Sequence, residues 1–475
     1  MDLTHAREYA RTAMPQVIDD LRTLVGHSSI AFPGFPREPM DAIAEDLLAM
    51  FRRAGVEGVR VLDLGEGAYP SIFAEIPGPE GSPVVTLYAH YDVQPAPEGQ
   101  GWTTDPWTLT EKEDGRLYGR GAADDKSGVV AHLATLAAFD GKPPVTVRLV
   151  IEGEEETGSH IEEYVENHAE DFRSDVFVVA DSGNQRVGAP ALTTGLRGDV
   201  SVTVTIRTIE SALHSGLFGG AAPDALVAMV QLLSSMYDEH GATVIEGLDS
   251  YRWPEGEDID EADFRASAAV LEGVELSGTG HLASRLWSRP AATVIGIDAP
   301  PVAGASNIVI PEATARVSVR IVPGSDPKAQ LDAVETHLRE HAPRGVQLEI
   351  GDVKLFGAWQ APQGGPVTQL AEQCLGDAFG APCTSHGSGG SIPLVQVLLD
   401  TSPGWPFGSG ITADSANCIA RTAKATISSS VISSDNSSPR SPSRVVANSA
   451  TSAIKAPGTG CPAHPHNTVR SLFSE

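Results

Sequence analysis

The stretch Pro144–Ser159, PVTVRLVIEGEEETGS, runs from a β-branched apolar segment straight into three consecutive glutamates, Glu154, Glu155 and Glu156. A short apolar run rich in Val and Ile and closed by a glycine reads as a buried strand. The glutamates stand where that strand comes to the surface, and like charges at adjacent positions repel. Their crowding needs a reason.

Outward from this stretch, strand and helix signals alternate. SHIEEYVENHAEDF has helical spacing with Ser159 as its expected N-cap, and SDVFVVAD is a further strand. Upstream, SPVVTLYAH is a buried strand and KSGVVAHLATLAAF a helix apolar on most faces. PMDAIAEDLLAMFRRAG is an amphipathic helix that stops at Gly55. The pattern predicts an α/β fold with a mostly parallel sheet over residues 1–196. From residue 197 the strands GDVSVTVTIRT, TARVSVRIVP and VQLEIGDVKL alternate polar and apolar. They flank the helices DALVAMVQLLSSMYDEH and PKAQLDAVETHLREHA. That is an inserted α+β unit, 197–352, with antiparallel strands half exposed to water. The helix PVTQLAEQCLGDAFG returns the chain to the first unit over 353–420.

Composition narrows the class. The net charge of −29 argues against a nucleic-acid partner, because nothing would neutralise phosphates. No run approaches a membrane span or a signal-peptide core, so the expected compartment is the cytoplasm. The four cysteines form no CxxC pair, which speaks against a thiolate metal site. Residues 421–475 differ in kind: they hold 13 serines, six Lys/Arg and two Asp/Glu, the composition of disorder.

The acidic and imidazole groups fall at strand ends. TLYAHYDVQP ends a strand with His90 and Asp92, two residues apart and so on one side. An Asp beside a His can accept its second ring N–H and raise its basicity as a ligand. GRGAADDKSG puts Asp124 and Asp125 at the mouth of a helix, EGEEETG follows a strand, and VVADSG ends another with Asp181. Ligands in open α/β sheets gather beyond the carboxyl ends of the strands. Singly, each motif is an ordinary cap or a solvated face. Together they put several carboxylates on one edge with few cations among them, Lys126 beside the Asp pair. A pair of divalent metals would remove the repulsion.

In order and spacing, HYDVQP, GRGAADDKSG, EGEEETGS, ADSG, TTGLRG, ALHSGLFGG, SNIVIPEATARVSVRIVPGSDP and GGSIPL resemble the M20 family of zinc-dependent peptidases. The likeness is strongest to its dipeptidase branch, which includes the carnosinase-like enzymes, and covers residues 1 to about 420. It implies a parallel-sheet catalytic domain carrying an inserted dimerisation or lid domain. It implies two zinc ions per subunit, with Mn2+ or Co2+ as alternatives, in a homodimer that cleaves dipeptides or short peptides. His90 and Glu156 would bind one metal, Asp181 the other, and Asp124 both, while Asp92 supports His90. Glu155 would be the general base, and Glu154 is expected to face water. His214 would stabilise the oxyanion from a partner subunit. Arg320 would receive the substrate's terminal carboxylate, with Asn307, Gly390 and Ser391 as further contacts. The Asp124–Asp125 peptide is expected to be cis.

The pattern breaks near Ala420. The branch ends with a His-Ser/Gly-x-Asn-Glu motif whose His completes the second metal, and this chain reads RTAKATISSSVISSDN instead. A frameshift is one account: in a shifted frame, a choice of GC-rich codons after Ala420 can encode Ala-His-Ser-Glu and an amphipathic helix. Two other readings stay open, an N-acyl amino acid deacylase of the same family and a metal-deficient inactive product. Asp rather than Glu at position 181 favours the peptidase over the deacylase.

Overall fold

The computed structural model describes residues 8–398 apart from 10–11, 98–100, 114, 185–187, 255–258, 344, 362–364, 391–393 and 395–396. Ser391 and the serine-rich tail therefore lie outside the described residues.

Two principal sheets organise the chain. The first is built from β1 (Arg60–Val61), β2 (Ile72–Ile76), β3 (Val84–His90), β6 (Thr146–Glu152) and β7 (Val176–Val179), in the order β1-β2-β6-β3-β7. A small hairpin, β4 (Thr110–Glu111) with β5 (Leu117–Tyr118), lies between β3 and β6 in sequence. β6, β3 and β7 are parallel, whereas β1 and β2 add antiparallel pairs at one edge. The sheet is thus parallel where the predicted strands lie. The Lys126–Ala138 helix packs against β3 and is buried almost all round, which its apolar sequence requires. The helices Met14–Val25 and Glu38–Arg53 close the same core with Leu21, Leu24, Leu47 and Phe51. The predicted helix after Ser159 is two helices, His160–Asn167 and Ala169–Phe172, broken at His168.

A three-stranded sheet joins the first unit to the second: β8 (Ala191–Leu196) pairs with β15 (Trp359–Gln360) and β16 (Thr384–Ser388). One residue after β8 the second large sheet begins. It comprises β9 (Gly198–Arg207), β11 (Ala291–Asp298), β13 (Glu312–Ile321) and β14 (Gln347–Phe356), all antiparallel, in the order β11-β13-β9-β14. A two-residue pair, β10 (Leu213–His214) with β12 (Ile308–Val309), sits beside it. Gly198 is required where the two units meet, because a Cβ there would lie 2.4 Å from Phe356 O.

The second sheet has two unlike faces. Val200, Val202 and Val204 stand opposite Val319, Val317 and Ala315 and pack on the helices Ala225–Ser234 and Pro327–His341. The other face is a polar ladder. Arg207 pairs with Glu312 at 2.5 Å and Glu349 at 2.8 Å, Thr205 meets Thr314 at 2.9 Å, and Arg316 bonds Asp352. Cross-strand pairs of this kind set register as much as stability. Among the described residues no helix is long and apolar enough to cross a membrane.

Candidate active site

His90 closes β3 and Glu152 closes β6, directly opposite each other in the parallel register. The site is built beyond these strand ends. His90 is fully buried; its Nε2 lies 3.0 Å from Asp124 Oδ1 and 3.7 Å from Asp181 Oδ1. On the other side of the ring, Nδ1 lies 3.1 Å from the Asp92 carbonyl and 3.5 Å from its carboxylate. Asp92 also orients the glutamate loop. Its two carboxylate oxygens accept the backbone N–H groups of Glu155 and Glu156 at 3.1 and 3.0 Å. One buried carboxylate thereby holds both His90 and the glutamate turn.

The Asp124–Asp125 peptide is cis, as the motif resemblance implies. Asp125 is fully buried and accepts from His90 N and from Gly128 N, both at 3.2 Å, so it caps the Lys126–Ala138 helix and pins the end of β3. Gly128 is needed for that approach, since a Cβ would stand 2.4 Å from Asp125 Oδ1. Among the described residues, one group of three potential chelators, His90, Asp125 and Asp181, has ligand atoms within 4.8 Å of one another. Asp124, the residue expected in that set, touches His90 instead with its side chain 63% exposed, so it faces the open side of the cluster. Glu156 Oε2 accepts from Gln94 Nε2 at 2.5 Å.

Charge explains what the cluster lacks. Burial, with Asp181, Glu156 and Asp92 adding repulsion against the pull of His90, pushes Glu155 up to about 9. Burial and the charge of Asp124 push Glu156 up to about 7. Burial disfavours a charged His90, yet its contacts with Asp124, Asp181 and Asp92 raise it well above the usual imidazole range. Gathered like charges thus favour the protonated forms of these groups. A nitrogen and several carboxylate oxygens on rigid strand ends form a donor set that suits a divalent metal of borderline softness, and a metal would replace those protons. Lys126 does not supply the charge. It is fully buried, its Nζ donates to Leu24 O at 2.9 Å and His27 O at 3.0 Å, and burial, opposed by Asp92, pulls it down to about 7.

Two expectations change. Glu154 does not face water: it is 4% exposed, accepts from Tyr69 N and His160 N, and contacts His160 Nδ1 at 2.9 Å. Ser159 stands at the N-cap position as expected, but its hydroxyl donates to Glu152 and makes no capping hydrogen bond. Glu152, which sequence reasoning passed over, also accepts from the Tyr88 hydroxyl at 2.7 Å, and burial sends it up to about 7. Its position as the last residue of a buried strand was the available signal.

The remaining candidates have local partners of their own. His214 is exposed on β10, where its Nδ1 accepts from Gly216 N at 3.0 Å. Asn307 is exposed and its carbonyl accepts from Ser215 N at 2.9 Å. Arg320 lies on β13, with Nε 3.8 Å from Asp199 Oδ1. Gly390 N approaches Ser388 Oγ at 3.5 Å.

Comparison with known proteins gives the family. The model of peptidase family M20/M25/M40 matches residues 86–421. A cysteinylglycine-S-conjugate dipeptidase of Corynebacterium striatum is 40% identical over 342 residues, 70% of this chain and 75% of that protein. A Beta-Ala-His dipeptidase of Rattus norvegicus is 30% identical over 401 residues, 76% of this chain and 80% of that protein. The crystal structure of human carnosine dipeptidase 1 shares the fold with a TM-score of 0.69 at 24% identity, covering 90% of this chain and 98% of that one. The chain belongs to peptidase family M20/M25/M40 and is a metal-dependent hydrolase acting on peptide bonds.

Proposed function

We propose that the chain is a dinuclear zinc dipeptidase, with Mn2+ or Co2+ as alternative metals, that cleaves dipeptides or short peptides. The observation that carries this reading is the convergence of His90, Asp124 and Asp181 at 3.0 and 3.7 Å, with Glu155 and Glu156 anchored beside them by Asp92. His90 and Glu156 would hold one ion, Asp181 the other, and Asp124 both. As the sequence stands, the second ion has no imidazole ligand, since the expected His after Ala420 is absent. Reading the gene's nucleotides around codon 420 checks the frameshift. A His-Ser motif in neither alternative frame overturns it. Residues 1–196 and 353–420 would form the catalytic domain, and 197–352 the lid.

Bound metal supplies Lewis acidity, lowering the pKa of water and polarising a carbonyl. The chain's own groups do the rest. Glu155, held with its backbone fixed on Asp92, takes a proton from the attacking water at its carboxylate and returns it to the leaving amine. Glu155 is half-buried at the edge of the cluster, where its carboxylate can make both transfers. Arg320 receives the substrate's terminal carboxylate, a planar anion matched by a guanidinium. Asn307, Gly390 and Ser391 add contacts.

His214 would meet the developing oxyanion from a partner subunit. A homodimer through the inserted unit is supported by apolar groups left in water: Ile295, 57% exposed on the edge strand β11, and Val227 and Val230, 56% and 55% exposed on the Ala225–Ser234 helix. Light scattering tests it, and a monomer at micromolar concentration overturns it.

Metal analysis together with hydrolysis of an unblocked dipeptide and an N-acetyl amino acid tests the whole reading. Zinc-dependent cleavage of the dipeptide is expected. Preference for the N-acetyl substrate would make the protein a deacylase, and no hydrolysis of either would make it the inactive product.

A further inference from the structure

Arg197 is the single residue between β8 and β9, and it is 6% exposed. Its backbone N–H donates to Ser388 O on β16 at 3.1 Å, and its Nη1 donates to Leu286 O on the π-helical turn Ser284–Ser288. Its Nε and Nη2 are buried without a hydrogen-bond partner. An enclosed guanidinium with two unused donors is costly unless an anion is near.

The anion in reach is Asp199. Residues 197, 199 and 201 share one side of the chain as it enters β9. Across the ladder Asp199 faces Arg320 and Ser201 faces Ser318. Asp199 is itself 6% exposed and accepts the hydroxyls of both serines. Burial and then the charge of Arg320 pull Arg197 down to about 10, with Asp199 opposing, so the guanidinium remains charged at neutral pH. Asp199, 3.8 Å from Arg320 Nε, also attracts Arg197 through space, so the three groups together carry one uncompensated positive charge. Arg320, with its side chain 40% exposed, is the member a solute can reach.

We propose that Arg197 is a positioning residue for peptide recognition: by sharing Asp199 it leaves Arg320 short of a counter-ion and ready to hold a substrate's terminal carboxylate. The inference rests on the reading of Arg320 given above. Without Arg197, Asp199 would neutralise Arg320 and the anion site would weaken. Arg197 itself does not touch the peptide.

The test compares a dipeptide bearing a free C-terminal carboxylate with the same dipeptide amidated, using the full zinc-supplied chain. Arg197→Met is expected to raise KM for the free dipeptide about tenfold, one charge-assisted contact, with kcat and the amide's KM changed less than about twofold. Arg197→Lys keeps the charge and should show the smaller rise. The double variant Arg197→Met/Asp199→Asn restores one uncompensated positive charge and should recover the wild-type KM. Asp199→Asn alone should lower KM for the free dipeptide, a result that does not require Arg197→Met to fold. A KM rise of equal size for the amide, no recovery in the double variant, or a higher KM in Asp199→Asn overturns the inference. If the wild type shows no preference for the free carboxylate, the reading of Arg320 fails and this inference with it. If the wild type prefers it and Arg197→Met keeps that preference, this inference alone fails.

Discussion

The carboxyl ends of β3, β6 and β7 and the polar face of the second sheet are both rich in charge, but they arrange it in opposite ways. Around Arg207 and Arg316 on the ladder, charged groups meet their complements across the strands: Arg207 has Glu312 and Glu349, and Arg316 has Asp352. At the strand ends, carboxylates of one sign are gathered around a single buried imidazole, and two of them are raised to about 9 and about 7. That stretch of the ladder is electrostatically complete without help, whereas the strand-end cluster gathers like charges that a cation would balance. Paired charge here serves register, and unpaired charge marks chemistry.

The largest test of that contrast is Glu155→Gln. It removes the proposed proton carrier while keeping shape, so dipeptide hydrolysis should fall by about 10²–10⁴-fold with zinc content unchanged. Retention of most activity would remove Glu155 from its role. Zinc itself should act on the cluster and not on the ladder. At about 100 times its dissociation constant, a bound ion stabilises the fold by about 2.7 kcal/mol, read as a higher unfolding midpoint in calorimetry. No shift with zinc, manganese or cobalt would mean that the carboxylates do not form a metal site.

A third test probes the protein beneath the strand ends. His132 is fully buried on the Lys126–Ala138 helix with Nε2 2.9 Å from Tyr88 O, and burial, opposed by that contact, pulls it down to about 4. The folded form is thus neutral where the unfolded chain, near 6.5, takes up a proton. Stability from this group is fully present above about pH 6.5 and falls as the pH drops towards 4, by about 2 kcal/mol between pH 7 and 5. Urea midpoints measure it, and His132→Gln should flatten the slope; an unchanged slope would assign the acid loss elsewhere. The smallest effect belongs to the ladder. Arg207 is exposed, so Arg207→Gln should leave the unfolding midpoint within experimental error, and a clear drop would show the ladder to be more than register.

Much of this was legible in the sequence, because periodicity and strand-end chemistry are local. The strand SPVVTLYAH and the all-round apolar helix that begins at Lys126 were read where they lie, as were His90, Asp92 and Asp181 at strand ends. What escaped depends on distant partners. Glu154 seemed solvated because its ligand Tyr69 N is 85 residues away, a contact no spacing rule reports. Asp125 looked like a cap, and it is one, but its second bond to His90 N needs the fold to be seen. The β11 strand was missed because its exposed edge lacks a clean alternation. His214 and Asn307 were named from motif likeness alone, and the role proposed for His214 calls for a neighbouring subunit.

Lys126 bears on where the protein can be cut. The family match starts at residue 86, and a boundary drawn there looks economical. It would delete Leu24 and His27, the two carbonyl acceptors of a fully enclosed ammonium two residues from Asp124, along with β1 and β2 at the sheet edge. The first eighty-odd residues are thus part of the active site's foundation, and any minimal version of this enzyme has to keep the Met14–Val25 helix.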